Sequence, residues 1–331
     1  MNLCINSAKK ALMFFLGAMV SIAAMESVSV DGDSNKPLRK YGLIKDSSDY
    51  HKSLDVLRSM GVSHLDANNS NIKSLISAGP LPSSVDLSGG FPAPFDQGQL
   101  GSCTAFSIIG LVMYDLKKQT GKDFDMMSAL YLYWQERNYE NKIDQDTGAS
   151  IADGIRTLVE KGICRESTWP YQIEKFKDKP SDVCDTEAAL CKDQDQFYMT
   201  TASVSLEENT IKALLNNGCP IVLGIDIYKE FESYAVANSG IVSMPTTGEQ
   251  VFGRHAVDVV GYDDATSTWL MRNSWGNSWG LPNKKGYFKL PYAYLTSGYA
   301  YNAWTIGSMS VPNYANPVNP NANISCCCAL M

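Results

Sequence analysis

Cys103 is preceded by the flexible run Gly98-Gln99-Leu100-Gly101-Ser102 and opens a stretch with helical periodicity. A thiol at that place has the setting a nucleophile needs. The attacking species is the thiolate, and a helix N-terminus together with a histidine partner lowers the cost of forming it. The same helix end offers unpaired backbone N–H groups to a developing oxyanion. The chain has three histidines to serve as base. His51 and His64 lie in a polar N-terminal stretch, which leaves His255, at the entry to a strongly apolar run. A neutral imidazole must be held in one tautomer by a third group. Asn273, close to Trp275 and Trp279, has the carboxamide for that and apolar neighbours to keep water off the contact.

The elements that must position these groups are legible in outline. Cys103 to Lys118 carries apolar residues at Phe106, Ile109, Met113 and Leu116, then Lys117-Lys118 and Gly121 as stop signals. A second helix is expected over Asp125 to Tyr139. Ser150-x-x-Asp153 starts a third, closing at Lys161-Gly162, and Ser205-x-x-Glu208 a fourth, closed by Gly218. After Pro220 the pattern turns to strands at Ile221–Tyr228, Ala256–Tyr262, Thr268–Arg272 and Tyr287–Leu290. Helices followed by strands give an α+β class with a helical lobe and a sheet lobe.

At these residues the chain resembles the papain-like cysteine peptidases from Leu81 to Ser310. Four segments carry the likeness in the family's order: "LPSSVD" at Leu81–Asp86, "DQGQLGSCTAFS" at Asp96–Ser107, "HAVDVVGYDD" at His255–Asp264, and "RNSWGNSWG" at Arg272–Gly280. Cysteine and histidine are 152 residues apart, and the asparagine follows 18 later. The resemblance implies a two-lobed papain-like fold, with the active site in the cleft between a helical lobe and an antiparallel β-barrel-like lobe. It implies Cys103 as nucleophile, His255 as general acid/base, Asn273 as its orienter, and Gln97 as oxyanion donor beside the Cys103 backbone N–H. Trp275 would roof the Asn273–His255 pair, with the thiolate–imidazolium pair formed before substrate arrives. Gly148, Ala149 and Ala256 would line the substrate cleft. The family's chemistry implies polypeptide substrates, no cofactor and no metal.

Some residues depart from the common motif. Leu100 and Thr104 stand where the family has a cysteine and a tryptophan, so its disulfide at that loop is absent. "GQLGSCTA", a short pro-segment and "WPY" at Trp169–Tyr171 look more like the xylellain-like bacterial and viral branch. Asp258 sits in an apolar run and needs a partner, and Arg254 would disfavour an imidazolium if it pointed at His255.

Outside this region the expected organisation is a signal peptide at 1–24, a pro-segment at 25–80, the peptidase domain at 81–310 and a Pro/Asn-rich tail at 311–331. The leader has Lys9-Lys10 before an apolar run ending near Met25, too short to span a bilayer. The pro-segment has one weak helical pattern around Leu54 and Leu57. "YGLIKDSSDY" (Tyr41–Tyr50) could lie across the cleft as an intramolecular inhibitor. The leader implies a secreted, lysosomal or vacuolar location. The last residues, Cys326-Cys327-Cys328-Ala329-Leu330-Met331, contain a C-a-a-X box and imply lipid attachment to membrane, which conflicts with the leader; disulfides in the tail are the alternative.

The 35 acidic against 28 basic side chains, with no basic stripe, exclude a nucleic-acid partner on electrostatic grounds. Nine cysteines are too few for a disulfide miniprotein, and three histidines too few for a multi-histidine metal centre. Cys164, Cys184, Cys191 and Cys219 allow three pairings, of which Cys184–Cys191 is the nearest in sequence. The first reading is a cysteine endopeptidase made as a zymogen. Its rivals are a transamidase or deamidase using the same Cys–His pair, and a silent membrane-tethered binding module.

Overall fold

The computed structural model describes residues 40–45, 48–194 and 201–307. The leader, the first part of the expected pro-segment (25–39) and the whole 311–331 tail with Cys326–Cys328 therefore lie outside the described residues. Among the described residues no helix is long and apolar enough to cross a membrane.

The helices are α1 (Ser48–Ser59), α2 (Ser70–Ser77), α3 (Cys103–Thr120), α4 (Ala129–Tyr139), α5 (Ile151–Glu160), α6 (Asp182–Gln194), α7 (Glu208–Asn216), α8 (Tyr234–Ser239) and α9 (Tyr292–Thr296). The strands are β1 (Ser63–Leu65), β2 (Ser84–Asp86), β3 (Ala202–Val204), β4 (Ile221–Ile227), β5 (Gly253–Asp263), β6 (Thr268–Arg272), β7 (Gly280–Leu281), β8 (Lys284–Lys285), β9 (Tyr287–Pro291) and β10 (Ala300–Thr305). One sheet runs in the order β1-β3-β10-β4-β5-β6-β9, with β2 also on β5, and β7-β8 form a separate hairpin. β1 runs parallel to β3; the other pairings are antiparallel. The architecture is α+β, with a helical core and a mostly antiparallel sheet, as the resemblance implies.

Two apolar cores account for the two lobes. Helix α3 is buried on every side from Cys103 to Leu116, so its apolar residues run right round it rather than along one stripe. Helices α4, α5 and α6 pack in the same core. Gly121, at φ 69°, ends α3 in the left-handed region that glycine takes without strain. Ser150 caps α5 by accepting from Asp153 N–H, as the capping motif requires.

Helix α4 starts at Ala129 rather than near Asp125, because Ser128 is its side-chain cap and Met127 is tied in a bridge to Arg165. Helix α7 starts at Glu208, and Ser205 turns its hydroxyl to Glu207 instead of capping.

Every residue of β4 is buried because the strand has a core on both faces. Val222, Ala256 and Val260 belong to the helical core, whereas Leu223, Ile225, Val257 and Val259 belong to the sheet core. Asp258 shares the helix-facing side of β5 and finds its partner there. Arg272 Nη1 lies 3.4 Å from its carboxylate, both side chains 1% exposed. Gly110 makes room for the pair, since a Cβ there would meet Arg272 at 2.8 Å and Asp258 at 2.9 Å. Burial pushes the Asp258 carboxyl up, opposed by the Arg272 charge and the Ser107 hydroxyl.

Candidate active site

The site forms where the first turn of α3 meets β5. Cys103 opens α3 with no side-chain cap from Ser102, so the helix end is left for another acceptor. The next strand residue after His255 touches it: Ala256 N–H donates to Cys103 Sγ at 3.5 Å. His255 pairs with Ile225 across the sheet, and Asn273 follows directly on β6. Asn273 Oδ1 lies 2.8 Å from His255 Nε2 and also accepts from Ser274 N–H at 2.8 Å. The backbone donor identifies that atom as the oxygen. Nε2 must then carry the ring proton, and Nδ1 keeps a free lone pair. Nδ1 is buried without a hydrogen-bond partner.

Trp275 stacks over His255, with centroids 5.0 Å apart and planes at 29°. It thus covers the Asn273–His255 contact from water. Trp279 packs on Trp275, Phe231 and Phe288 as a support behind it. Gln97 is fixed from both ends of its amide. Ser274 Oγ donates to Oε1 at 2.6 Å, while Nε2 donates to Leu100 O at 2.9 Å and to Lys40 O at 3.3 Å. The structure therefore brings Gln97, Cys103, His255, Asn273 and Trp275 to one place, from three segments of the chain. Arg254 points away to Asp226, 3.4 Å off, and is half exposed.

Residues 40–45 lie in this place too. Gly42 O accepts from Ala149 N–H at 2.7 Å, and Ile44 N–H donates to Ala149 O at 2.9 Å, so the segment runs parallel to the Ala149 backbone. Leu43 N–H donates to Arg254 O at 3.3 Å. Gly42 N–H points at the Cys103 sulfur. Tyr41 stands edge-on to His255 at 5.8 Å and donates to Glu232 at 2.8 Å. Leu43 fills the space left by the missing side chain of Gly224, where a Cβ would meet it at 2.3 Å. Gly148 and Ala149 thus flank this segment, and Ala256 lies against the sulfur.

Behind the segment, α1 packs on α5 through Leu57 and Tyr50 and a Ser53–Asp153 hydrogen bond.

This burial sets the protonation states. It pushes the Cys103 thiol up to about 11, opposed by the N–H groups of Ala256, Gly42 and Thr104. It pulls the His255 imidazole down to about 4, opposed by Asn273. With the segment in place both shifts act against a thiolate–imidazolium pair.

Several supporting residues were not visible in the sequence. Tyr171 O–H donates to Gln97 O at 2.8 Å and lies 2.6 Å from Ser102 Oγ. Asp146 accepts from Gly101 N–H at 3.0 Å and pairs with Lys40 at 3.4 Å. Ser274 holds both Gln97 and Asn273. The motif "WPY" and the serine after Asn273 were the available signals; Asp146 had none.

A family model for papain family cysteine proteases matches residues 81–304. The chain belongs to that family. It is 39% identical over 237 residues to an uncharacterized peptidase C1-like protein of Acanthamoeba polyphaga mimivirus, covering 69% of this chain and 75% of that one. A cathepsin B-like protein of Giardia intestinalis is 30% identical over 230 residues, covering 65% and 71%. Among solved structures, xylellain, a cysteine protease from Xylella fastidiosa, superposes with a TM-score of 0.67 at 30% identity, over 83% of this chain and 99% of that one. A digestive procathepsin L2 from Tenebrio molitor shares the fold with a TM-score of 0.60 at 19% identity, over 91% and 90%. The chain is accordingly a papain-family hydrolase of the cysteine-protease kind.

Proposed function

We propose that this papain-family member is a cysteine endopeptidase made as a zymogen. Residues 25–80 are its pro-segment, residues 81–310 its peptidase domain, and export through the 1–24 leader delivers it to a secretory or lysosome-like compartment. What supports the zymogen reading is the occupancy of the cleft. Tyr41, Gly42 and Leu43 cover the sulfur and the imidazole, and the Lys40 carbonyl takes the Gln97 amide N–H.

Removal of this segment exposes Cys103 and His255 to water and lifts the desolvation that keeps them neutral. The Cys103 proton then passes to His255 Nδ1, the nitrogen that Asn273 leaves free. The thiolate attacks the substrate carbonyl carbon. The oxyanion takes the place of the Lys40 carbonyl at Gln97 Nε2, with the Cys103 backbone N–H as second donor. The imidazolium gives its proton to the departing amine, which leaves a thioester. His255 then deprotonates a water that releases the acid. A substrate with a leucine-sized apolar side chain fits the recess that Leu43 fills beside Gly224 and Tyr301.

The test is to incubate the full chain under reducing conditions and follow both its N-terminus and its hydrolysis of a peptide library. A product starting near Leu81, more active than its precursor and absent with Cys103→Ser, is the expected result. A Leu81 form no more active than the full chain would overturn the zymogen reading.

A further inference from the structure

Five cysteines among the described residues are buried and unbridged. Cys103 belongs to the site, and Cys219 sits in the sheet core. The other three gather in the helical core, Cys164 on the loop after α5 and Cys184 and Cys191 on α6. Cys164 and Cys184 are buried side chains of that one core, close enough that the Cys164 thiol feels a charge on Cys184. The Ser181 hydroxyl lies 3.3 Å from Cys184 Sγ.

The backbones around this pair are clamped. A Cβ on Gly162 would meet the Ala188 carbonyl at 2.1 Å, Arg165 N–H donates to Glu187 at 3.3 Å, and the Arg165 guanidinium pairs with the same carboxylate. Cys191 is no rival partner for Cys184. Seven residues of helix separate their Cα atoms by roughly 10 Å, beyond the ~7 Å a disulfide spans.

We propose that Cys164 and Cys184 form an oxidisable pair that closes as an intrachain disulfide, stapling the loop after α5 to α6. The oxidant is a low-molecular-weight disulfide of the glutathione type. One protein thiolate attacks it, giving a mixed disulfide and one free glutathione. The second protein thiolate displaces the other glutathione, so two electrons pass to the oxidant and the two protons end on the released thiols. Burial pushes the Cys164 thiol far up, so in the folded chain attack is slow and the bridge closes during folding.

The ring closed by this bridge runs from 164 to 184 and contains Tyr171. That tyrosine holds the Gln97 carbonyl and the Ser102 hydroxyl and packs edge-on to Phe106, with centroids 4.8 Å apart. The bridge therefore anchors both ends of the segment that braces the turn before Cys103.

The test uses the full chain carrying Cys103→Ser, which removes the reactive thiol. It is refolded in a reduced/oxidised glutathione buffer and mapped by mass spectrometry without reduction. The expected result is one cross-linked peptide pair joining Cys164 to Cys184, two hydrogens lighter than the reduced pair. The oxidised form should melt about 5–10 °C above the reduced form. Cys184→Ala should abolish that redox difference whatever its own stability, and Cys164→Ala serves if the first variant does not fold. Full alkylation of both cysteines after oxidative refolding, a cross-link to Cys191 or Cys219, or equal melting of the two forms would each overturn the proposal.

Discussion

Gly42→Ala isolates the contact that closes the cleft. The new Cβ would stand 1.8 Å from Gly101 O, 2.3 Å from its carbonyl carbon and 2.6 Å from its Cα. Ordinary contact begins near 3.4 Å, and the obstacle is backbone that no rotamer change removes. The opposite wall is also close, since a Cβ on Gly148 would meet Gly42 O at 2.0 Å. The segment must therefore retreat from Ala149 and give up the hydrogen bonds at 2.7 and 2.9 Å. Two such bonds at about 1 kcal/mol each, with part of the Leu43 burial, amount to roughly 2–3 kcal/mol. That is roughly a 30- to 150-fold larger population with the cleft open.

Iodoacetamide labelling of Cys103 in the full chain, read by peptide mapping at early times, reports that population. Labelling faster by this factor is expected, with basal peptide hydrolysis rising in step. A Gly42→Ala chain labelled no faster than its parent would refute the steric argument and, with it, the segment's role as a plug.

Three further outcomes follow from the same geometry. Asn273→Ala frees the His255 tautomer and removes a hydrogen bond to the imidazolium. kcat/KM of the Leu81 form should fall about 10- to 100-fold with the fold intact by circular dichroism. Because burial raises the Cys103 thiol to about 11, its labelling in the full chain should climb as pH rises toward 11. Removal of residues before Leu81 should move that profile to lower pH, and an unchanged profile would contradict the burial argument. Asp258→Ala leaves the Arg272 guanidinium buried without its partner. It should cost about 3–5 kcal/mol, seen as a lower midpoint in urea unfolding.

The sequence carried the site well because its chemistry sits in unlike local settings. Cys103 follows a glycine turn at a helix start, His255 begins an apolar strand, and Asn273 closes one beside tryptophans. Strand Thr268–Arg272 and the glycine stop of α3 were legible because their signals are local. The short strands β1, β2, β3 and β10 were not, since partners distant in sequence (β3 for β1, β10 for β3, β4 for β10 and β5 for β2), rather than their own pattern, make them strands. The partner of Asp258 was hidden for the same reason: Arg272 reaches it only across paired strands. The nearest cysteine pairing by sequence, Cys184–Cys191, fails on helix geometry, and the neighbour of Cys184 comes instead from the loop after α5.

Peptide hydrolysis by this site requires that the Cys103 sulfur, activated by His255, take the acyl group. The direct measurement is intact mass and peptide mapping of the Leu81 form quenched during turnover of a slowly deacylating peptide ester. An acyl adduct on Cys103, formed at least a hundredfold more slowly in His255→Ala, is the predicted result. An adduct on another residue, or acylation of Cys103 at the same rate without His255, would contradict it.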